Sequence, residues 1–229
     1  MANVYITGAG RGIGLSLAQK HAEAGDRVFA LVRDPAKSDE LSQLANGSGG
    51  KVTIHKMDAG DLASIPDAAA ATGNDSVDVL YNVAGNTGPM NNELETEIDW
   101  DGWGSAFDVM VKGPLAVLKA FLPRMHEGSK VVNFSSQLAA STWPMGGYYA
   151  YGAAKAALNR LMRSVAIDLK DKGIIVVTLH PGWVQTDMGG PDAEITPEES
   201  ASGIHALTQK LTIGDSGDFF KWNGEHHPW

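Results

Sequence analysis

The chain has 229 residues, 43% of them hydrophobic, and its 18 Lys+Arg against 27 Asp+Glu leave a formal net charge of −9. That length suits one α/β domain with a full core, and the acidic balance argues against non-specific nucleic-acid binding. Cysteine is absent, which excludes disulfide and thiolate chemistry. No apolar run approaches the roughly 18 residues of a membrane span or is bounded like a signal peptide, so the cytoplasm is the expected compartment.

In chain order, Asn3-Val4-Tyr5-Ile6-Thr7 reads as a strand and is followed at once by Gly8-Ala9-Gly10-Arg11-Gly12-Ile13-Gly14. An amphipathic helix comes next, closed by Gly25, and then a second strand at 27–32. Strand, glycine-rich turn, helix and strand form a βαβ unit with a dinucleotide site. Flexible glycine loops are common, but here the loop lies between two apolar strands. The turn must be tight, the backbone must approach a pyrophosphate, and the helix N-terminus supplies N–H donors. Further strands are expected at 52–58, 77–85, 130–135 and 174–180, with a short last one at Phe219-Phe220. Helices are expected at 62–71, at 103–122 with a bend at Gly113-Pro114, and from the Tyr151 region to about Lys172, stopping at Gly173. Residues 46–50 and 86–92 read as loops. Alternation of helices with continuously apolar strands predicts one α/β domain over 1–229, a parallel sheet with helices on both faces.

Tyr151 and Lys155 lie four positions apart, so on a helix both project from one face. An ammonium near a phenol favours the phenolate and moves the tyrosine pKa of about 10 toward neutrality. Alone, the pair is a weak signal, equally met on a solvent-facing helix. The seven histidines show no metal-ligand spacing, and His226-His227 reads as a polar tail; no metal is expected.

With Thr7-Gly-Ala-Gly-Arg-Gly-Ile-Gly14, Asn82-x-Ala84-Gly85, Ser135-Ser136, Tyr151-x-x-x-Lys155 and Pro181-Gly182 in that order, the chain resembles the short-chain dehydrogenase/reductase family over nearly its whole length. The stretches Gly146–Tyr151 and His180–Met188 are similar to the C-factor and sniffer-type carbonyl reductase branch. The resemblance implies a single-domain Rossmann fold, a doubly wound parallel sheet of about seven strands, and assembly as a homodimer or homotetramer. It implies an oxidoreductase that reduces a carbonyl with NADPH. Tyr151 would be the proton donor, Lys155 would lower its pKa and bind the nicotinamide ribose, and Ser136 would hold the substrate oxygen, with Ser135 as runner-up. The cofactor would be held by Gly8, Gly10, Arg11, Gly12, Ile13, Gly14, Arg33, Asp58, Asn82, Ala84, Gly85, Pro181, Gly182, Val184 and Thr186, besides Tyr151 and Lys155.

Two positions depart from the family pattern. Val83 replaces a second Asn after strand four, and Met110 stands where the family has the Asn that holds a relay water. Met110 has no donor and only a weak acceptor, which keeps a non-catalytic NADP(H)-binding regulator as the alternative function. No carboxylate ends strand two; Val32 and Arg33 stand there instead, and Arg11 with Arg33 suits a 2′-phosphate. Asp34 lies where a turn could bring it toward the ribose. Trp143, Met145, Tyr148, Trp183 and Met188 flank the motifs as an apolar pocket, a core or an interface. A small substrate loop is expected at about 189–205, whose glycines and proline suit a lid.

Overall fold

The computed structural model describes residues 1–89 and 94–229; the expected loop at 86–92 therefore lies partly outside the described residues. Seven parallel strands run β1 (Asn3–Thr7), β2 (Arg27–Val32), β3 (Val52–Lys56), β4 (Val77–Asn82), β5 (Met125–Phe134), β6 (Ile175–His180) and β7 (Phe219–Lys221). Their spatial order is β3-β2-β1-β4-β5-β6-β7. Both faces are covered, which is why the strands carry unbroken apolar runs rather than alternating ones. The order reverses direction between β1 and β4, and in such sheets ligands bind at the carboxyl ends of the strands beside that point.

The helices among the described residues are α1 (Gly12–Glu23), α2 (Asp39–Gly47), α3 (Ile65–Ala70), α4 (Trp100–Phe107), α5 (Gly113–Phe121), α6 (Tyr149–Leu169) and α7 (Pro197–Lys210). One core lies under α1 and α7, where Leu17, Ile204 and Leu207 meet Ile6, Tyr81 and Val132 of the sheet. The opposite core places Val117, Phe121, Leu158 and Met162 on Leu80, Val131 and Val176.

Three departures from the sequence expectations have physical causes. The helix expected over 103–122 is α4 and α5 joined by a π-helical turn, Asp108–Lys112. Pro114 sits in the first turn of α5, where its missing N–H is no loss. The loop expected at 189–205 is loop only as far as Thr196. From Pro197 it is helix, because Thr196 and Glu199 close a capping box. Helix α2 was not read from the sequence either; it is short and buries little beyond Leu41.

Candidate active site

The glycine-rich turn is built by close backbone approach. Gly8 has φ +69°, and a Cβ there would lie 2.9 Å from the Ala84 Cα. The Thr7 hydroxyl accepts from the Val83 and Ala84 N–H groups at 3.1 and 3.2 Å. Thr7 thus ties the turn after β1 to the turn after β4, a role the sequence reading did not give it. A Cβ at Gly14 would collide with the Gly8 carbonyl, so α1 can start this near the strand only with glycine at that place. The residue before α1, Arg11, provides no side-chain cap, and no acidic residue occupies the first turn of the helix. The leading N–H groups of α1 thus have no side-chain cap from Arg11 and no acidic residue within the first turn, a fit for a phosphate.

Around that turn the predicted residues fall into two sets. A Cβ on Gly12 would touch the Thr186 Cγ2 at 3.1 Å, and one on Gly10 would touch the Ser38 Oγ at 2.8 Å. Arg11 Nη1 reaches across to Asp187 Oδ2 at 2.6 Å, both groups largely exposed. Ile13 lies in the first turn of α1, and Asp58 caps its own turn by accepting from the Gly60 N–H at 2.9 Å. Val184 pairs with Ile195 at the base of the loop after β6, and the Pro181 carbonyl accepts from the Ser200 hydroxyl at 2.6 Å. Gly182 packs beneath Ile195 and Trp222.

The second set stands apart from a direct contact. Asn82 Nδ2 donates to Asn133 Oδ1 at 2.8 Å, so its amide bridges β4 and β5 inside the sheet. Arg33 is exposed at the end of β2 and is not drawn to Arg11, which pairs with Asp187. Asp34 is turned to its own backbone: it accepts from the Ala36 N–H at 3.1 Å and faces Lys37 at 3.5 Å. Ser38, buried beside Gly10 and Val32, completes this corner and was not signalled by any motif.

The expected catalytic side chains lie at the carboxyl ends of β4 and β5. Ser136 follows β5, and its hydroxyl acts on the Tyr151 phenol, lowering its pKa against the effect of burial; its Oγ accepts from the Leu138 N–H at 3.2 Å. Ser135 instead points at the Lys155 carbonyl, 3.5 Å away. Of the two serines, Ser136 is the one that acts on Tyr151. Lys155 Nζ donates to the Phe134 carbonyl at 2.6 Å and lies 5.6 Å from the centre of the Tyr151 ring. Gly85 borders both Lys155 Nζ and Met110, each 3.8 Å from where its Cβ would be. Met110 is completely buried with Ala106 and Ala154, and the Tyr151 ring packs on that cluster. The backbone just before α6 is held in the left-handed region at Tyr148, φ 51°, an uncommon state for a bulky residue and one found at working sites.

Electrostatics here run against the sequence expectation. Burial pushes the Tyr151 phenol up, and the hydrogen bond from Ser136 offsets only part of this. Burial pushes the Lys155 ammonium down from 10.5 to about 8. Both groups are driven toward their neutral forms because both have lost water. A phenol that keeps its proton beside a hydroxyl partner is equipped to donate that proton to an oxygen. Among the flanking apolar residues, Met145, Tyr148, Trp183 and Met188 are exposed.

A sequence profile of short chain dehydrogenases matches residues 2–195. C-signal of Myxococcus xanthus is 41% identical over 158 residues, covering 67% of this chain and 93% of that protein. The NADPH-bound carbonyl reductase from chicken fatty liver superposes with a TM-score of 0.91 at 32% identity, covering 100% of this chain and 99% of that one. The carbonyl reductase Sniffer of D. melanogaster gives 0.91 at 28% identity over the whole of both chains.

Proposed function

The chain belongs to the short-chain dehydrogenase family, and we propose that it is an NADPH-dependent carbonyl reductase converting a ketone or aldehyde to an alcohol. The observation that carries this reading is Ser136 acting on the Tyr151 phenol, with Lys155 Nζ 5.6 Å from the centre of that ring and bonded to the Phe134 carbonyl at the carboxyl end of β5. The cofactor fits the residues present. Gly8, Gly10, Gly12 and Gly14 leave backbone room, the uncapped start of α1 meets phosphate, and Arg11 and Arg33 supply positive charge against an acidic whole. Asp58, Asn82, Ala84, Gly85, Pro181, Gly182, Val184 and Thr186 complete the wall, Asn82 through the sheet. When bound, NADPH supplies the hydride for the carbonyl carbon.

The chain's own groups manage the oxygen. Ser136 and Tyr151 hydrogen-bond the substrate carbonyl, favouring the charge that develops on it, and Tyr151 gives up its proton to that oxygen. Lys155, still mostly charged below its value of about 8, stabilises the resulting phenolate through space. The exposed side chains of Met145, Tyr148, Trp183 and Met188 suit an aromatic or aliphatic substrate, and the loop 189–196 is its lid. Residues 1–229 act as one unit in the cytoplasm, as a homodimer or homotetramer. No helix among the described residues is long and apolar enough to cross a membrane.

The test is NADPH consumption, read by its absorbance, against a panel of aldehydes, ketones and quinones. Tyr151→Phe should retain NADPH binding and lose at least 100-fold in kcat, in line with the usual contribution of a positioned acid. Turnover by the variant equal to that of the parent would sink the assignment. One observation favours a second reading, a cofactor-binding regulator without turnover. Met110 fills the space beside Lys155 with a thioether instead of a group that could hold water. Tight NADPH binding with no oxidation on any panel member would select it.

A further inference from the structure

Away from the cleft, three donor side chains meet between α1, the turn before β2 and α7. His21 is completely buried; its Nδ1 lies 2.9 Å from Asp26 Oδ2 and its Nε2 3.0 Å from the Tyr81 hydroxyl. His205 packs edge-on against the His21 ring, centroids 4.6 Å apart. The His205 Nε2 is buried and has no hydrogen-bond partner among the described residues. One ligand atom from each of His21, Asp26 and His205 lies within 4.8 Å of the other two.

We propose that His21, Asp26 and His205 form a binding site for a first-row divalent cation of zinc type, with water as the fourth ligand. The donor set, two imidazoles and one carboxylate, suits zinc or cobalt and is a poor match for magnesium or calcium, which take oxygen shells. A hydrogen-bond chain alone accounts for Asp26, His21 and Tyr81, but it leaves the His205 nitrogen buried and unpaired, which is costly. A cation accounts for all of them.

The supporting groups are already in place. With Nδ1 on the metal, His21 keeps Nε2–H for the Tyr81 oxygen, the arrangement in which a ligating imidazole is held in one tautomer by its other nitrogen. Asp26 keeps Oδ1 on the Ala2 N–H at 2.8 Å, leaving Oδ2 for the metal. Ligand atoms in a tetrahedral zinc shell stand roughly 3.3 Å apart, given bonds of about 2.0–2.1 Å. A movement of the order of 1 Å by His205, which is only partly buried, closes the shell. The site shares no residue with the cleft and stands whether or not the chain reduces carbonyls. It would clip α1, whose start forms the glycine turn, to α7, which follows the loop 184–196.

The test uses the full chain, stripped of metal, titrated with zinc chloride by calorimetry and followed by thermal denaturation, with cobalt as a visible probe. One zinc per chain, a raised Tm and the d–d absorption of tetrahedral cobalt are expected. His205→Ala and Asp26→Asn should each weaken zinc binding at least tenfold and remove the cobalt band, while their metal-free melting stays cooperative. The double variant His226→Ala, His227→Ala should keep both signals, since that tail lies elsewhere. No saturable one-to-one binding by the parent, or equal affinity in His205→Ala, overturns the proposal.

Discussion

Tyr151 and Lys155 show how one cause acts oppositely on an acid and a base: enclosure raises the phenol and lowers the amine. For the lysine this is a cost of folding. Its value falls from 10.5 to about 8, so above about 10.5 the amine is neutral in both states and costs nothing. As the pH falls toward 8 the unfolded chain takes up a proton that the folded chain resists, and stability is lost; below 8 the loss is complete. A shift of that size corresponds to roughly 3 kcal/mol. Lys155→Met should therefore be more stable than the parent in cofactor-free urea unfolding at pH 7, by up to about that amount. The gap should narrow as the pH rises toward 10, and a gap constant across that range would rule out the linkage. The identities of Ser136, Tyr151 and Lys155 were legible because spacing and order carry them. The direction of the phenol's shift was not, because it depends on the packing of Met110, Ala154 and Ala106 around the ring, which no local pattern encodes. Ser38 and Thr7 were missed for the same reason: each acts through a neighbour distant in sequence.

At the scale of elements, what could be read was what repeats. Strands β1, β2 and β6 are short apolar runs and fall within a residue of their expected limits, whereas β5 begins at Met125, five residues before the expected 130, through the polar His126-Glu127-Gly128-Ser129. Helix α7 was hidden by the glycines and proline of 189–191, which drew the whole stretch to 205 into a loop. Its signal was nevertheless present in Thr196 followed by Glu199 and in the spacing of Ala201, Ile204, Leu207 and Leu211, all buried in the α1–α7 core. The box is reciprocal: the Glu199 N–H donates to Thr196 Oγ1 at 3.2 Å, and the Thr196 N–H to Glu199 Oε2 at 2.8 Å. Thr196→Ala should cost about 1 kcal/mol in chemical denaturation, and Thr196→Ser should restore most of it. Equal stability of all three proteins would show that the tertiary contacts of α7, not its cap, define where the loop 184–196 ends. The π-turn at Asp108–Lys112 has no comparable sequence signature. The Gly113-Pro114 pair marks its neighbourhood, but the extra residue is absorbed in the turn before the proline, placing Met110 inward.

At the scale of the molecule, a net charge of −9 must accommodate a polyanionic cofactor, so the local field at the cleft decides binding. That field is shaped by a contact between segments far apart in the chain. Arg11 of the glycine turn pairs with Asp187 of the loop after β6, and Thr186 beside it abuts Gly12. The pair bridges the glycine-rich turn and the loop after β6. It occupies a guanidinium that the nucleotide would use and sets a carboxylate against it. Both groups are more than three-quarters exposed, so the pair itself holds the loop by no more than about 1 kcal/mol. Its effect on a ligand of several negative charges is felt through the field and is screened by salt. Asp187→Asn should therefore tighten NADPH binding several-fold at low ionic strength, mainly through a faster on-rate, and the advantage should fade as salt approaches about 0.5 M. Arg11→Gln should do the reverse, weakening binding and flattening its salt dependence. If Asp187→Asn instead loosens NADPH at every salt concentration, the carboxylate serves to position the arginine for the cofactor, and the loop 184–196 gains its hold on the nucleotide by closing through that pair.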